Sequence, residues 1–547
     1  MHAGQMMTRL NSGDGILSRR AILRGGGSAL TLAAVAAFPG ARAMAQSDAD
    51  TQAGGDLPVG GQEAFSFDWL VERARRAAAE DYVPPEPLGK PFSDLNYDDY
   101  RRIQFREESA VWAGEDAFAV LHAYHPGWLF DTTVSLYEVV DGEVTPLTFS
   151  TEDFRYYSDA RGVMAEVDEL PGVAGFRLNA PLNAPGQFDE VVSFLGASYF
   201  RALGKDNRYG LSARGLAVNT ATSAEEEFPS FTAFWLERPE PDADHVVFYA
   251  SLESESLTGA YKFVVKPGRT TTMDVTLRLF FRRDIEQLGL APLTSMYLFG
   301  PNDRGDFDDY RNRVHDSEAL VVNTEERAVV RVLNNPPRLA NSYMGAMSPQ
   351  SFGLVQRHRD FDDYLDAGAH YESRPSLMVE PVGAWGRGAV RLIEIPSDLE
   401  ANDNIVAFWV PEAEFAAGDE LDTAYRLYWG MSPPGAESDL AQVSRTLAGH
   451  GGVSGVDPAK DRRKFVIDFL GGPLAELGGD QQVKPNITVS NGKLEEEVLQ
   501  TIDPGSGLLR LVVEVSADAG AVVEMSADLW LEERRLSETW IYQWLRE

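Results

Sequence analysis

Two acidic loops hold the residues of this chain best suited to chemistry. The first runs Gly300-Pro301-Asn302-Asp303-Arg304-Gly305-Asp306-Phe307-Asp308-Asp309-Tyr310 and continues to His315-Asp316-Ser317. The second runs Glu394-Ile395-Pro396-Ser397-Asp398-Leu399-Glu400-Ala401-Asn402-Asp403-Asn404 and leads into Ile405-Val406-Ala407-Phe408-Trp409. Splitting a glycosidic bond takes two carboxyls, one protonated to feed the leaving oxygen and one ionised to activate water or attack. Asp and Glu on loops beside Tyr310 and Trp409 have the right groups, since aromatic faces stack on sugar rings. Spacing alone leaves a second reading open, because a chain with 84 acids must carry solvated acidic turns.

Other chemistries fit less well. Asn302, Asp306 and Asp308 offer oxygens to a calcium ion, but the order is not that of an EF-hand loop. The histidines His122, His125, His315, His358 and His370 lack HExxH spacing, so no zinc site is expected. Neither GxSxG nor a phosphate-cradling GxxxxGK[ST] occurs. With no Cys, thiolate catalysis, disulfides and Cys-based metal sites are excluded. No cofactor or metal is therefore expected.

These loops need a scaffold, and the pattern is mostly one of strands. Val275, Leu277, Leu279 and Phe281 share one face, as do Phe465, Ile467 and Phe469. Leu509, Leu511, Val513 and Val515 make another stripe. Val523, Met525, Ala527, Leu529 and Leu531 make the next, and Ser516–Gly520 between the two reads as a hairpin turn. Helical signals are few: 66–79, capped by Ser66 with Leu70, Ala74 and Ala77 at helical spacing, and 282–288. Alternation broken by Gly, Pro and Asp argues for antiparallel β-sandwiches, an all-β fold. The run Gly430 to Asp439 reads as a linker. It divides a large β domain at 64–429 from a small β-sandwich at 440–547.

Residues 1–45 read as a signal peptide of the twin-arginine (Tat) type: Arg19-Arg20, an apolar stretch from Ala29 to Pro39, then Ala43-Met44-Ala45. The apolar run is too short for a permanent span, which takes ~20 residues. Export in a folded state to the periplasm is expected, with residues 46–63 a disordered start to the mature chain. Removing 45 of 547 residues leaves 502, and 44% apolar content can fill a core of that size. The whole chain carries 49 − 84 = −35; without five Arg and one Asp of the leader it carries 44 − 83 = −39. Such a surface repels nucleic acid and anionic lipid and suits a neutral ligand. The protein should be neither membrane-embedded nor nucleic-acid binding.

From Phe65 onward the sequence resembles the periplasmic glucan biosynthesis proteins of the OpgG/OpgD (MdoG/MdoD) family. The matching stretches include Phe194-Leu195-Gly196-Ala197-Ser198-Tyr199-Phe200-Arg201, Tyr209-Gly210-Leu211-Ser212-Ala213-Arg214-Gly215-Leu216-Ala217 and Glu226-Glu227-Phe228-Pro229. Further on come Leu333-Asn334-Asn335-Pro336, Asn402-Asp403-Asn404 and Ser537-Glu538-Thr539-Trp540. The resemblance implies a large galactose-mutarotase-like β-sandwich followed by a small Ig-like one. It implies service in making osmoregulated periplasmic glucan, whose backbone is β-1,2-linked glucose, beside an inner-membrane glucan synthase. Relatives form glycoside hydrolase family 186, in which some members cleave linear β-1,2-glucan with inversion and others transfer the chain. On that resemblance Asp403 is the general acid and Asp316 the general base. Glu400 lies in the cleft, where crowding against Asp403 would raise one carboxyl's pKa. Tyr371 and Arg374, in His370-Tyr371-Glu372-Ser373-Arg374-Pro375, line the proton path. His370 stands where relatives often carry Arg. The twin-arginine leader resembles the D-type members. A non-catalytic glucan-binding or assembly factor, or a structural envelope protein, remains an alternative to an enzyme.

Overall fold

Alternating apolar residues can bury one face of a strand only if a second sheet covers it. The structure, a computed structural model, describes residues 64–157, 160–452, 455–457, 459–477 and 481–547, so the expected leader and the stretch to 63 lie outside the described residues. The fold is all-β. The described residues form two compact units interleaved in sequence: those up to Ala202 with Arg214–Leu288 and Glu414–Ala424, and Leu203–Ala213 with Gly289–Ala413 and Tyr425–Glu547.

In the first unit, the strands Thr271–Phe281, Leu257–Lys266, Val246–Glu253 and Ser230–Glu237 form an antiparallel run. Ser135–Val140 then joins Ser230–Glu237 in parallel. A second antiparallel set comprises Val120–Tyr124, Gly175–Pro181, Phe188–Leu195 and Tyr199–Ala202. Their inner faces meet through phenylalanines, with Phe176 4.9 Å from Phe234 and Phe194 5.3 Å from Phe263. The helix forms as its pattern predicts, over Phe67–Ala78. Ser66 caps it by accepting from the Trp69 amide at 3.1 Å, and Leu70 and Ala74 are buried. It covers the outer face of the first sheet at Tyr137, Trp235 and Tyr249. The helix expected over 282–288 does not form. The Arg282 guanidinium donates to Leu257 O and Ala77 O at 3.2 and 3.0 Å, and Ile285 bridges Phe415, which holds the segment extended.

In the second unit, Leu288–Ser295, Ile405–Pro411, Arg387–Glu394 and Ala340–Met347 pair antiparallel in that order. Another sheet sets Ala328–Val332 between Ala319–Asn323, antiparallel, and Thr539–Leu545, parallel, and continues through Val522–Leu531 to Lys484–Ser490. Facing it is a four-stranded sheet of Gln442–Gly451, Ala459–Leu470, Leu508–Ser516 and Lys493–Asp503. The hairpin expected at Ser516–Gly520 is therefore a crossover. Leu508–Ser516 and Val522–Leu531 belong to different sheets, and their stripes meet face to face in one core with Val330, Phe465 and Trp540. Arg357 ties the Ser537-Glu538 motif to this core through a two-pronged ion pair with Glu538, at 2.7 and 2.8 Å. The stretch expected as a linker is bonded in as well, since Gly435 O accepts from Asn323 Nδ2 at 2.7 Å.

Candidate functional site

Both acid-bearing turns are bonded to one short stretch of the second unit. The Asp316 amide donates to Met296 O at 2.8 Å. The Asn404 side chain, next to Asp403, accepts from the Tyr297 amide at 2.8 Å and donates to Tyr297 O and Ile395 O, each at 2.9 Å. Consecutive residues, Met296 and Tyr297, thus anchor turns that lie 87 positions apart (403 − 316). Asn404 completes two backbone pairings by itself, which is the local reason for an asparagine here.

The remainder of the Asp403 loop is held by Asn335. Its amide accepts from the Ser397 N–H at 2.9 Å and donates to Ser397 O and Leu298 O at 2.6 and 2.9 Å. Asn335's own N–H donates to the partly buried carboxyl of Asp303 at 2.6 Å. Asp303 also accepts from Tyr297 Oη at 2.8 Å and from the Gly300 amide at 3.1 Å. Burial pushes its pKa up to about 7, against the pull of those donors and of Arg463. Asn302, considered above as a calcium ligand, is instead engaged with Leu333 O and Tyr297 Oη at 2.9 Å each.

Asp316 is 0% exposed, and its Oδ1 accepts from the Arg374 guanidinium. Arg374 lies 4.2 Å over the Tyr371 ring and donates to Ala369 O at 3.3 and 3.4 Å. Burial lowers the Arg374 pKa. A side chain at Gly210 would bring its Cβ within 3.0 Å of Arg374 Cβ, so Tyr209-Gly210 lets the backbone close over this arginine. Tyr371 opens the 3-10 turn Tyr371–Ser373 and is itself buried. Gln356 Nε2 donates at 3.1 Å to both Tyr371 O and His315 O. That orientation leaves Gln356 Oε1 to accept from His315 Nδ1 at 2.8 Å, fixing the Nδ1–H tautomer. Burial lowers the His315 pKa to about 3, so the ring is neutral at pH 7, stacked 5.3 Å from Tyr297.

Glu400 belongs to a second charged group, centred on Arg311. It forms a 2.9 Å ion pair with Arg311, which also holds Asp309 and Asp366 at 2.7 Å each. Arg311 is thereby the junction of three segments, and its bonds to Asp309 lead in raising its own pKa and in lowering that of Asp309. Tyr310 stands at the surface, 73% exposed, its ring centre 6.0 Å from the Arg311 guanidinium. Trp409 is different: it is fully buried, 6.2 Å from Trp385, so the stacking role expected for it is not open to its ring. His370 adopts a left-handed backbone (φ 47°) and pairs with Glu372 at 2.8 Å.

The structure therefore draws Asp316, Tyr371 and Arg374 into one bonded group and Tyr310 and Glu400 into another around Arg311. Asp403 sits partly buried on the pinned loop. Sequence reasoning overlooked Arg311, Asp366, Gln356 and Asn335. A lone pair of arginines after four acids, and the Asn-Asn-Pro run, were the available signals. Among the described residues no cluster of His, Asp or Glu has the arrangement of a metal site, and no helix is long and apolar enough to cross a membrane.

Residues 65–544 match the family model described as "Periplasmic glucan biosynthesis protein, MdoG". The chain is 52% identical to "Glucans biosynthesis protein G" of Cereibacter sphaeroides, covering 97% of this chain and 98% of that protein. It is 40% identical to the protein of the same name from Bradyrhizobium diazoefficiens, over 96% of this chain and all of that one. It is 42% identical to "Probable glucans biosynthesis protein D" of Shewanella oneidensis, over 88% and 89% of the two. Both G-named and D-named proteins are thus similar to it along most of their length.

Proposed function

Because the chain belongs to the MdoG family of periplasmic glucan biosynthesis proteins, we propose that it acts on the β-1,2-linked backbone of that glucan as an inverting endo-β-1,2-glucanase or transglycosylase. Asp403 gives its proton to the leaving glycosidic oxygen. Asp316 takes a proton from the attacking water or sugar hydroxyl, with Tyr371 and Arg374 holding its orientation. Tyr310 and Glu400 meet sugar rings and hydroxyls at the surface. The observation that carries this reading is the anchoring of both acid turns to Met296 and Tyr297. Neighbouring strands stand ~4.8 Å apart. Two segments bonded to consecutive residues therefore have backbones within roughly 10 Å of each other, which leaves room for the ~6.5–9.5 Å that an inverting pair takes between its carboxyls.

Export through the twin-arginine route to the periplasm, and work beside an inner-membrane glucan synthase, belong to the same proposal. Its test is incubation of the purified protein with linear β-1,2-glucan, following product size and anomeric configuration. Shortened or rejoined chains that vanish in Asp403→Asn and in Asp316→Asn support it. Intact glucan from the unaltered protein refutes it.

One observation favours a second reading, a non-catalytic glucan-binding or assembly factor. Asp316 is wholly buried and its Oδ1 is taken by a guanidinium, which closes it off from an attacking water as it stands. Glucan binding without turnover is the outcome that selects this reading.

A further inference from the structure

The first unit carries a cluster that the acid site does not use, built from three of the stretches quoted above. Arg214 is 8% exposed, and its guanidinium lies 4.7 Å over the Tyr199 ring and 5.8 Å from the Phe228 ring. It pairs at 3.5 Å with Glu226, whose carboxylate also accepts from Thr220 Oγ1 at 3.0 Å. Phe228 nonetheless turns outward and is 47% exposed.

An exposed phenylalanine on a slack loop would fold its ring onto the nearest apolar surface. This one cannot, because its turn is clamped at several points. Asn219 and Gln287 exchange bonds of 3.0 and 3.1 Å. Glu286 accepts from Ser223 Oγ and the Ala224 amide, each at 3.1 Å. Glu227, next to the ring, accepts from the Ser256 amide at 2.9 Å and from its hydroxyl at 2.6 Å. Asn219 and Ala221 hold left-handed backbones, φ 56° and 50°. The turn that presents the ring is therefore ordered before any ligand arrives, and the cost of ordering that turn falls on folding, not on binding.

We propose that Phe228, backed by Arg214 and flanked by Glu226, is a glucan-holding platform of the first unit that takes a neutral pyranose residue. A flat apolar face receives the C–H face of a sugar ring, and a carboxylate at its edge accepts hydroxyl protons. The net charge of −35 disfavours anionic occupants and leaves a neutral polyol as the matching chemistry. The inference rests on the glucan reading of the preceding subsection.

The test measures equilibrium binding of linear β-1,2-glucan to the full chain carrying Asp403→Asn, with β-1,3- and β-1,4-glucans as controls. Adding Phe228→Leu keeps apolar volume and removes the flat face, and should weaken binding about ten-fold. Phe228→Tyr should restore it. Melting curves establish that each variant is folded, and a half-exposed ring tolerates both changes. Equal affinity in Phe228→Leu and its parent overturns the platform while leaving the glucan reading intact. Failure of the parent to bind any of the three glucans overturns both.

Discussion

Replacing Arg374 by Met is the sharpest perturbation of the proposed base. The side chain keeps much of its length and loses the guanidinium that serves Asp316 and stacks on Tyr371. Removing one partner of a buried ion pair costs ~3–5 kcal/mol, because the other charge is left in a poor medium. The stranded carboxyl should then hold its proton to higher pH, because nothing is left to balance its charge. The acidic limb of kcat/KM should therefore move to higher pH. The assay is release of new reducing ends from linear β-1,2-glucan, as initial rates between about pH 4.5 and 8.5. The variant should lose most of its rate at the acidic end and recover part of it at the alkaline end. Arg374→Lys keeps a charge without the planar stack and should lie between the two. An unmoved acidic limb in a variant that melts like the parent would sink the assignment of Asp316 as base. A uniform loss at every pH would do the same, since it would trace to distortion and not to basicity.

Three further outcomes follow from the geometry. Glu538→Ala strands the Arg357 guanidinium in the core of the second unit and should cost ~3–5 kcal/mol in urea unfolding; a change within experimental error would show that the pair is solvated. Trp409→Ala should destabilise by a similar ~3–5 kcal/mol, whereas Tyr310→Ala should leave the melting temperature alone and weaken glucan binding, the reverse pattern contradicting their burial. Asp303 holds its proton up to about pH 7 in the folded protein, against ~3.9 for an unfolded aspartate. Its stabilising effect is then fully present below ~4 and lost as pH rises to about 7, a difference on the order of 4 kcal/mol. Asp303→Asn should flatten that part of the stability–pH curve, and an identical slope in both proteins would disprove the reasoning.

Strand faces were legible because alternation reports burial directly. Val275, Leu277, Leu279 and Phe281 are all buried along Thr271–Phe281, and Ser66 caps its helix as its position promised. Strand partners were not legible. A period of two says which side of a strand is dry, but not whether the dry side meets a hairpin neighbour or an opposing sheet. Hence Leu508–Ser516 and Val522–Leu531, adjacent in sequence, lie in different sheets. The acids of the candidate site were visible as residue types, whereas their supports were not. Asn335, Gln356 and Arg311 act across tens of positions, and nothing local in the sequence marks such reach. Trp409 misled because an aromatic beside an acidic loop looks the same in sequence whether it faces a ligand or the core.

The parallel pairing of Val329–Arg331 with Thr539–Ile541 has a consequence in time. The two partners are 210 positions apart (539 − 329), so one edge of Ala328–Val332 has no neighbour until the second is made. At ~5–20 residues per second that interval is roughly 10–40 s. A buried, β-branched strand with an open edge is a template for pairing with another nascent chain. The second unit thus spends much of its synthesis in an adhesive state. Its yield in the cell depends on how well that edge is shielded until Thr539–Leu545 arrives.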